Sequence, residues 1–201
     1  MGEHAYILSA TFLHVCTNII PITVIIVITI MDRNKYVFFH ALGDENEEFN
    51  QWYVTTFNGN GGVFVSVEQF VAYSKAVFFN DIVAAKIITS MFTADASVYR
   101  SIATTILGFN KARWDIIATD TFINANYFKF VSDPILTAKL INTGNKTIVN
   151  CNPNDRTWGI GFTERDAIAN VNSWGSNRLG EILMVVRDML VSDSISTTTH
   201  L

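Results

Sequence analysis

Between Ala5 and Met31 the chain carries no Asp, Glu, Lys or Arg, and the second half of that stretch, IIPITVIIVITIM, is almost wholly apolar and β-branched. Four readings fit it. It is long enough for a membrane helix if Ser9, Thr11, His14, Thr17, Asn18 and Pro21 are tolerated inside one. A signal peptide fits less well, because only Glu3 and no basic region precedes the apolar run. VIIVITI suits a buried strand. Lastly, Met31 is a natural start, because ordinary globular pattern begins at MDRNKYVFF. Residues 1–31 are therefore expected to be an appended segment or to lie upstream of the physiological start.

From Met31 onward the pattern changes register every few residues. KYVFFH predicts a short strand, LGDENEEFNQ a solvated acidic loop, and FNGNGGVFVS an Asn/Gly turn leading into a second short strand, which could pair antiparallel with the first. Ser66 followed by Gln69 has the form of a capping box, and VEQFVAYSKAVFF after it has apolar residues at helical spacing. Further helices are predicted across Asp81 to Met91, Asp95 to Leu107, Lys111 to Phe130 and Asp133 to Asn142, with Pro134 suited to a first turn. TIVN then reads as a strand, Thr163 and Asp166 as the cap of a short helix, and Arg178 to Val191 as a last amphipathic helix. The tail SDSISTTTHL is expected to fray. No repeat or linker divides the chain, so the expectation is one mainly helical α+β domain over residues 32–191 with a small antiparallel sheet, an apolar segment before it and a polar tail over residues 192–201.

Composition narrows the function. The 201 residues are 49% apolar and 16% charged, with a net charge of −4, enough for a single folded core and without a basic field for bulk nucleic acid. The two cysteines, Cys16 and Cys151, cannot form a disulfide framework, and the four histidines are not at metal-ligand spacing. A reducing, cytoplasmic setting is expected, with membrane association only through residues 5–31; neither a metal nor a cofactor is implied.

Three groups could carry chemistry. Glu68 and Lys75 are seven apart on the first helix, about 20° apart around its axis and about 10 Å along it, with Ala72 leaving room between them; they are equally a pair of solvated side chains. In CNPNDRTWGIGF (Cys151 to Phe162), Asp155 follows a turn-forming Asn-Pro-Asn that can hold its carboxylate on backbone N–H groups. Trp158 offers a flat face beside Gly159 and Gly161, which let a ligand or another backbone approach. A surface Asp and a core Trp are the structural alternative. Finally, WGSNRLGE (Trp174 to Glu181) opens a helix on a Gly-rich turn, suited to an anion or simply to a cap. There is no phosphate-binding Gly-rich loop, no nucleophile elbow and no Cys/His pair, so nucleotide hydrolysis and acyl transfer are disfavoured.

Taken in order, NQWYVTTF, VEQFVAYSKAVFFND, LGFNKARWD, the Lys129-Phe130 pair, LINTGNKTIVN, NDRTWGIG and GSNRLGEILMVVR resemble the YbiA-like, or NADAR, family, whose name refers to NAD and ADP-ribose. The resemblance runs from about Lys35 to Leu190. It implies a mainly helical α+β fold and cleavage of N-glycosidic bonds, in substrates such as phosphorylated pyrimidine intermediates of riboflavin synthesis or ADP-ribose joined to nucleobases. It implies one pocket with Glu68, Asp155 and Lys75 as catalytic candidates and Trp158, Trp52, Gly159, Gly161, Asn177, Asn150 and Lys129 as substrate-binding ones.

This chain departs from the family pattern in three places. Asn150 stands where the strand ordinarily ends in Glu, and Ser176 where Gln is usual. The segment Arg100-Ser-Ile-Ala-Thr104 lacks an Arg that could meet a phosphate. Two functions remain open on this basis, an N-glycosidase acting on (phospho)ribosyl or ADP-ribosyl bases, and a module that binds ADP-ribose or a related nucleotide without cleaving it.

Overall fold

A computed structural model describes residues 33–198. The N-terminal readings for residues 1–31 lie outside the described residues. The first five helices begin on side-chain caps. Ser66 Oγ accepts the Gln69 N–H at 3.2 Å and starts α1 (Val67–Phe78). Gln69 closes the box differently from the usual form: its Oε1 accepts from Val65 N–H, and its Nε2 donates to the Ile88 and Met91 carbonyls. Asp81, Asp95, Asn110 and Asp133 cap α2 (Ile82–Ser90), α3 (Ala96–Thr104), α4 (Lys111–Val131) and α5 (Pro134–Ile141) in the same way. A single turn, α6 (Glu164–Ala167), precedes the long α7 (Arg178–Thr198); the expected cap of α6 is not made, because the Thr163 hydroxyl donates to Asp166 Oδ2 at 2.7 Å and accepts no backbone N–H.

The strands correct one expectation. The acidic loop does not lead from β1 (Tyr36–Phe39) to an antiparallel partner. Instead β1 pairs in parallel with β4 (Thr147–Asn150), Tyr36 opposite Thr147 and Phe39 opposite Asn150. The antiparallel pair is a separate hairpin, β2 (Phe57–Gly59) and β3 (Gly62–Phe64), closed by Asn60-Gly61. A parallel pair needs both faces covered, which accounts for the unbroken apolar run YVFF. Val37, Phe39 and Ile148 belong to the main core between α1, α4, α5 and α7, whereas Tyr36, Phe38 and Val149 belong to a smaller cluster with Cys151, Ile160 and Ala167. A third cluster, of Ala72, Ala76, Ala84, Ala85, Ile88, Ala96, Tyr99 and Ile106, joins α1 to α2 and α3.

The tail gives a second correction. Residues 192–198 continue α7 despite their poor helix propensity. Ser192, Ser194 and Ser196 return their hydroxyls to carbonyls one turn back, and Asp193 accepts from the Tyr127 hydroxyl at 2.8 Å. A pre-formed helix extended onto such bonds does not meet the cost of nucleation again. Among the described residues, no helix is long and apolar enough to cross a membrane.

Candidate functional site

At the end of the β1–β4 pair, a cavity of about 630 Å³ opens between the first turn of α1, the Asn50–Trp52 segment that precedes the β2–β3 hairpin, α3 and the loop after β4. This volume is within the range of small-molecule sites. The Asn50–Trp52 loop forms one wall. Asn50 Oδ1 accepts from the Trp52 N–H at 2.8 Å, while its amide donates to the His40 carbonyl. The loop is tied twice to α1: the Glu68 N–H donates to the Gln51 carbonyl at 3.1 Å, and Trp52 Nε1 donates to Glu68 Oε2 at 3.2 Å. Glu68 is only 9% exposed. Its burial raises the carboxyl pKa above the ordinary value, against the Trp52 N–H and the positive charges of Arg100 and Lys75.

The facing wall is the CNPNDRTWGIGF loop. Asp155 Oδ1 accepts the N–H groups of Thr157 and Trp158, both at 2.8 Å, so the expected capture of the carboxylate by its own turn is present. That commits Oδ1 to the turn and leaves Oδ2 as the oxygen available to a ligand. Trp158 lines the cavity, backed by Phe122 with ring centres 4.3 Å apart and by the Arg178 guanidinium 5.1 Å from its ring. Asn150, on the face of β4 that carries Ile148, reaches the same cavity and donates from Nδ2 to the Trp158 carbonyl at 3.2 Å. A carboxylate at position 150 would have no hydrogen to give that carbonyl.

The cavity therefore brings together Glu68, Asp155, Trp158, Trp52 and Asn150. The other five candidates support it from behind. Gly159 and Gly161 serve the loop's own packing: a Cβ on Gly159 would lie 2.8 Å from the Asn150 carbonyl, and Gly161, at φ +77°, sits against Arg156. Asn177 spans the edge of β4, accepting from the Asn150 N–H at 2.9 Å and donating to the Ile148 carbonyl at 2.8 Å. Lys129 is fully buried and donates to the Glu48 and Asn50 carbonyls at 2.6 and 2.9 Å, beneath the loop that carries Trp52. Burial pushes its pKa down to about 7, against the pull of Glu48.

Lys75 is turned away from the cavity. It donates to the Ala103 carbonyl at 3.1 Å and lies 4.0 Å from the ring centre of Phe109. Burial lowers its pKa, and Glu68 opposes the shift. The room expected beside Ala72 is filled, because Ala72 is buried among the helices of the third cluster.

The WGSNRLGE turn resolves in favour of structure. The N–H groups of residues 175–179 donate in succession to the carbonyls of Ile160, Arg156, Gly159, Thr157 and Trp158, and so are unavailable to an anion. The Cys151 thiol is buried and pushed up to about 12, chiefly by desolvation, so it is inert at neutral pH.

Sequence reasoning missed Arg100. The segment that looked short of a phosphate-facing Arg places this one on the cavity wall. His40, Asn152 and Asn154 also line it without having been singled out. Arg100 adjoins the buried Tyr99, and only the docking of α3 on α1 decides which way its exposed side chain leads.

The fold defined by these elements is similar to the NMR structure of the E. coli protein YbiA, with a TM-score of 0.65 at 21% identity over 80% of this chain and 87% of that one. The NADAR domain family matches residues 37–191, and the chain belongs to that family. It is 36% identical over 170 residues to a protein named N-glycosidase R617 from Acanthamoeba polyphaga mimivirus, covering 79% of this chain and 98% of the relative. A shorter match, 32% identical over 75 residues, is to N-glycosidase Npun_R5314 of Nostoc punctiforme, covering 37% of this chain and 42% of the relative.

Proposed function

We propose that the protein is an N-glycosidase that hydrolyses the bond between a base and a phosphoribosyl or ADP-ribosyl group. The observation that carries this reading is the pair of carboxylates on facing walls of one cavity, Glu68 buried against Trp52 and Asp155 held by its own turn beside Trp158. Breaking such a bond builds positive charge at the anomeric carbon and leaves a base that needs a proton. Glu68, with its raised pKa, supplies the proton. Asp155 Oδ2 faces the cationic carbon and takes a proton from the attacking water as its oxygen bonds to that carbon. The C–N electron pair leaves with the base, and exchange with solvent restores both carboxyls. Trp158 and Trp52 give the base or the sugar's apolar face a surface to lie on.

The test is a screen for base release from free and nucleic-acid-linked ADP-ribose adducts, NAD and phosphorylated riboflavin precursors. Asp155→Asn keeps an oxygen for the Thr157 and Trp158 N–H groups but removes the charge, and is expected to lower release on the order of 10²-fold. A wild-type rate would remove Asp155 from the chemistry.

Lys75 holds the Ala103 carbonyl in this account and makes no bond to substrate. Borohydride added during turnover is expected to leave the protein's mass unchanged. A trapped sugar adduct on Lys75 would instead assign it the role of amine nucleophile, for which its lowered pKa is suited.

Asn150 favours a second reading, a module that binds ADP-ribose without cleaving it. Its side chain holds the Trp158 carbonyl where the family pattern has a carboxylate. Calorimetry with ADP-ribose beside the release screen separates the two, because binding without release from any substrate class selects the module.

A further inference from the structure

We infer that Arg100 is the residue that reads the substrate's phosphate, holding it at the cavity mouth while the scissile bond lies inward at Glu68. The inference rests on the proposed glycosidase reading for the identity of the sugar, but its evidence is separate.

Three charged side chains line the cavity. Two are the carboxylates of Glu68 and Asp155, and the third is the Arg100 guanidinium. Their solvent exposure is unequal. Glu68 is buried, whereas Arg100 is exposed. Among the described residues, Arg100 has no hydrogen-bond or ion-pair partner, although its charge is close enough to Glu68 to act on that carboxyl. The cavity thus sets a buried carboxylate, Glu68, against an exposed guanidinium, Arg100, with the half-exposed Asp155 on the facing wall.

A neutral nucleoside would use only the inner part. A sugar phosphate engages both ends, with its anion on the exposed guanidinium and its developing cation between the Glu68 and Asp155 carboxylates. A guanidinium suits this task because its planar array of N–H donors can bond two phosphate oxygens at once. Asn152 and Asn154 on the facing loop put further amides beside the same space.

The mounting of Arg100 agrees with this role. Arg100 and Ala103 are three residues apart and lie on neighbouring faces of α3. Lys75 fixes the Ala103 carbonyl, and Tyr99, fully buried, donates to the Met91 carbonyl at 2.9 Å. The helix is therefore pinned on both sides of Arg100 while the guanidinium stays free. Glu68 with Trp52 and Lys75 with Ala103 join α1 to the two elements that flank the cavity, so the distance between phosphate and scissile bond is set by α1.

The test is calorimetry of the wild type and of Arg100→Gln with ribose 5-phosphate, ribose and ADP-ribose. The wild type should bind ribose 5-phosphate at least about tenfold more tightly than ribose, and Arg100→Gln should erase that preference with an unchanged melting temperature. Arg100→Lys should restore part of it. A preference that survives in Arg100→Gln overturns the inference, and so does a wild type that binds the two sugars equally or binds neither.

If Arg100 served only as counter-ion to Glu68, the substitution would move the pH dependence of base release and leave the phosphate preference intact. That too would overturn it. Absence of base release from every substrate, together with an Arg100-dependent phosphate preference, would sink the glycosidase reading alone.

Discussion

Glu68→Gln is expected to lower base release on the order of 10²-fold while the protein remains folded. The substitution is conservative for the structure, because a Gln oxygen can still accept the Trp52 N–H that positions the carboxylate. What it removes is a transferable proton held in a buried site. Release should fall as pH rises through the Glu68 pKa, which lies above 4.5 because of burial, and this alkaline limb should be absent in Glu68→Gln. Stability moves in the same direction. Between pH 4.5 and the higher folded-state value, the unfolded chain gives up this proton while the folded protein keeps it, so the Glu68 contribution to stability falls as pH rises through that window. Above it, Glu68→Gln should be at least as stable as wild type. Thermal unfolding and initial rates across the same pH range measure both effects, and equal rates in the two proteins would remove Glu68 from the mechanism.

Lys129→Met is the substitution with the largest expected effect on the fold. Met fills much of the same space but gives nothing to the Glu48 carbonyl, and leaves the Asn50 carbonyl with the Tyr53 N–H alone. Leaving buried acceptors short of partners costs about 2–4 kcal/mol, equivalent to a melting temperature lower by roughly 5–15 °C in a protein of this size. The loss falls on the loop that carries Trp52, so base release should weaken as well.

A pH signature separates this from generic damage. With a folded pKa of about 7 and an ordinary value of 10.5, Lys129 is neutral in the folded protein and charged in the unfolded chain between those limits. Its contribution therefore makes wild-type stability rise with pH across that window, and in Lys129→Met this rise should disappear. A neutral amine retains two hydrogens, one for each carbonyl. Denaturant midpoints at pH 7 and pH 9.5 check the prediction.

The helices were legible because their signals are local. A side-chain acceptor at Ser66, Asp81, Asp95 or Asp133 at the start of a helical pattern needs no knowledge of the rest of the chain. The parallel partner of Tyr36–Phe39 was not legible, because it lies more than a hundred residues later and a four-residue apolar run says nothing of what it pairs with.

The site divided in the same way. Asp155 and Trp158 are legible from turn chemistry, and Glu68 from the helix face it shares with Lys75 and from the family resemblance. The family resemblance implies Lys129 and Asn177 as substrate-binding residues, whereas their bonds brace the loop and strand beside the cavity; a buried donor beneath a loop and an exposed donor in a cavity look alike in sequence. Arg100 is not legible in the sequence because its place depends on how α3 docks against α1, a tertiary fact set by Ala72, Ala76, Tyr99 and Ile106.

The central claim, that this cavity hydrolyses an N-glycosidic bond through Glu68, is tested most directly by chromatography of base and sugar after incubating wild type and Glu68→Gln with the same ADP-ribosyl and phosphoribosyl adducts. The account predicts free base and free sugar in equal amounts from wild type on at least one of these classes, and on the order of 10²-fold less from Glu68→Gln. Equal release by both proteins, or intact adduct recovered from wild type on every class while ADP-ribose still binds, would contradict it.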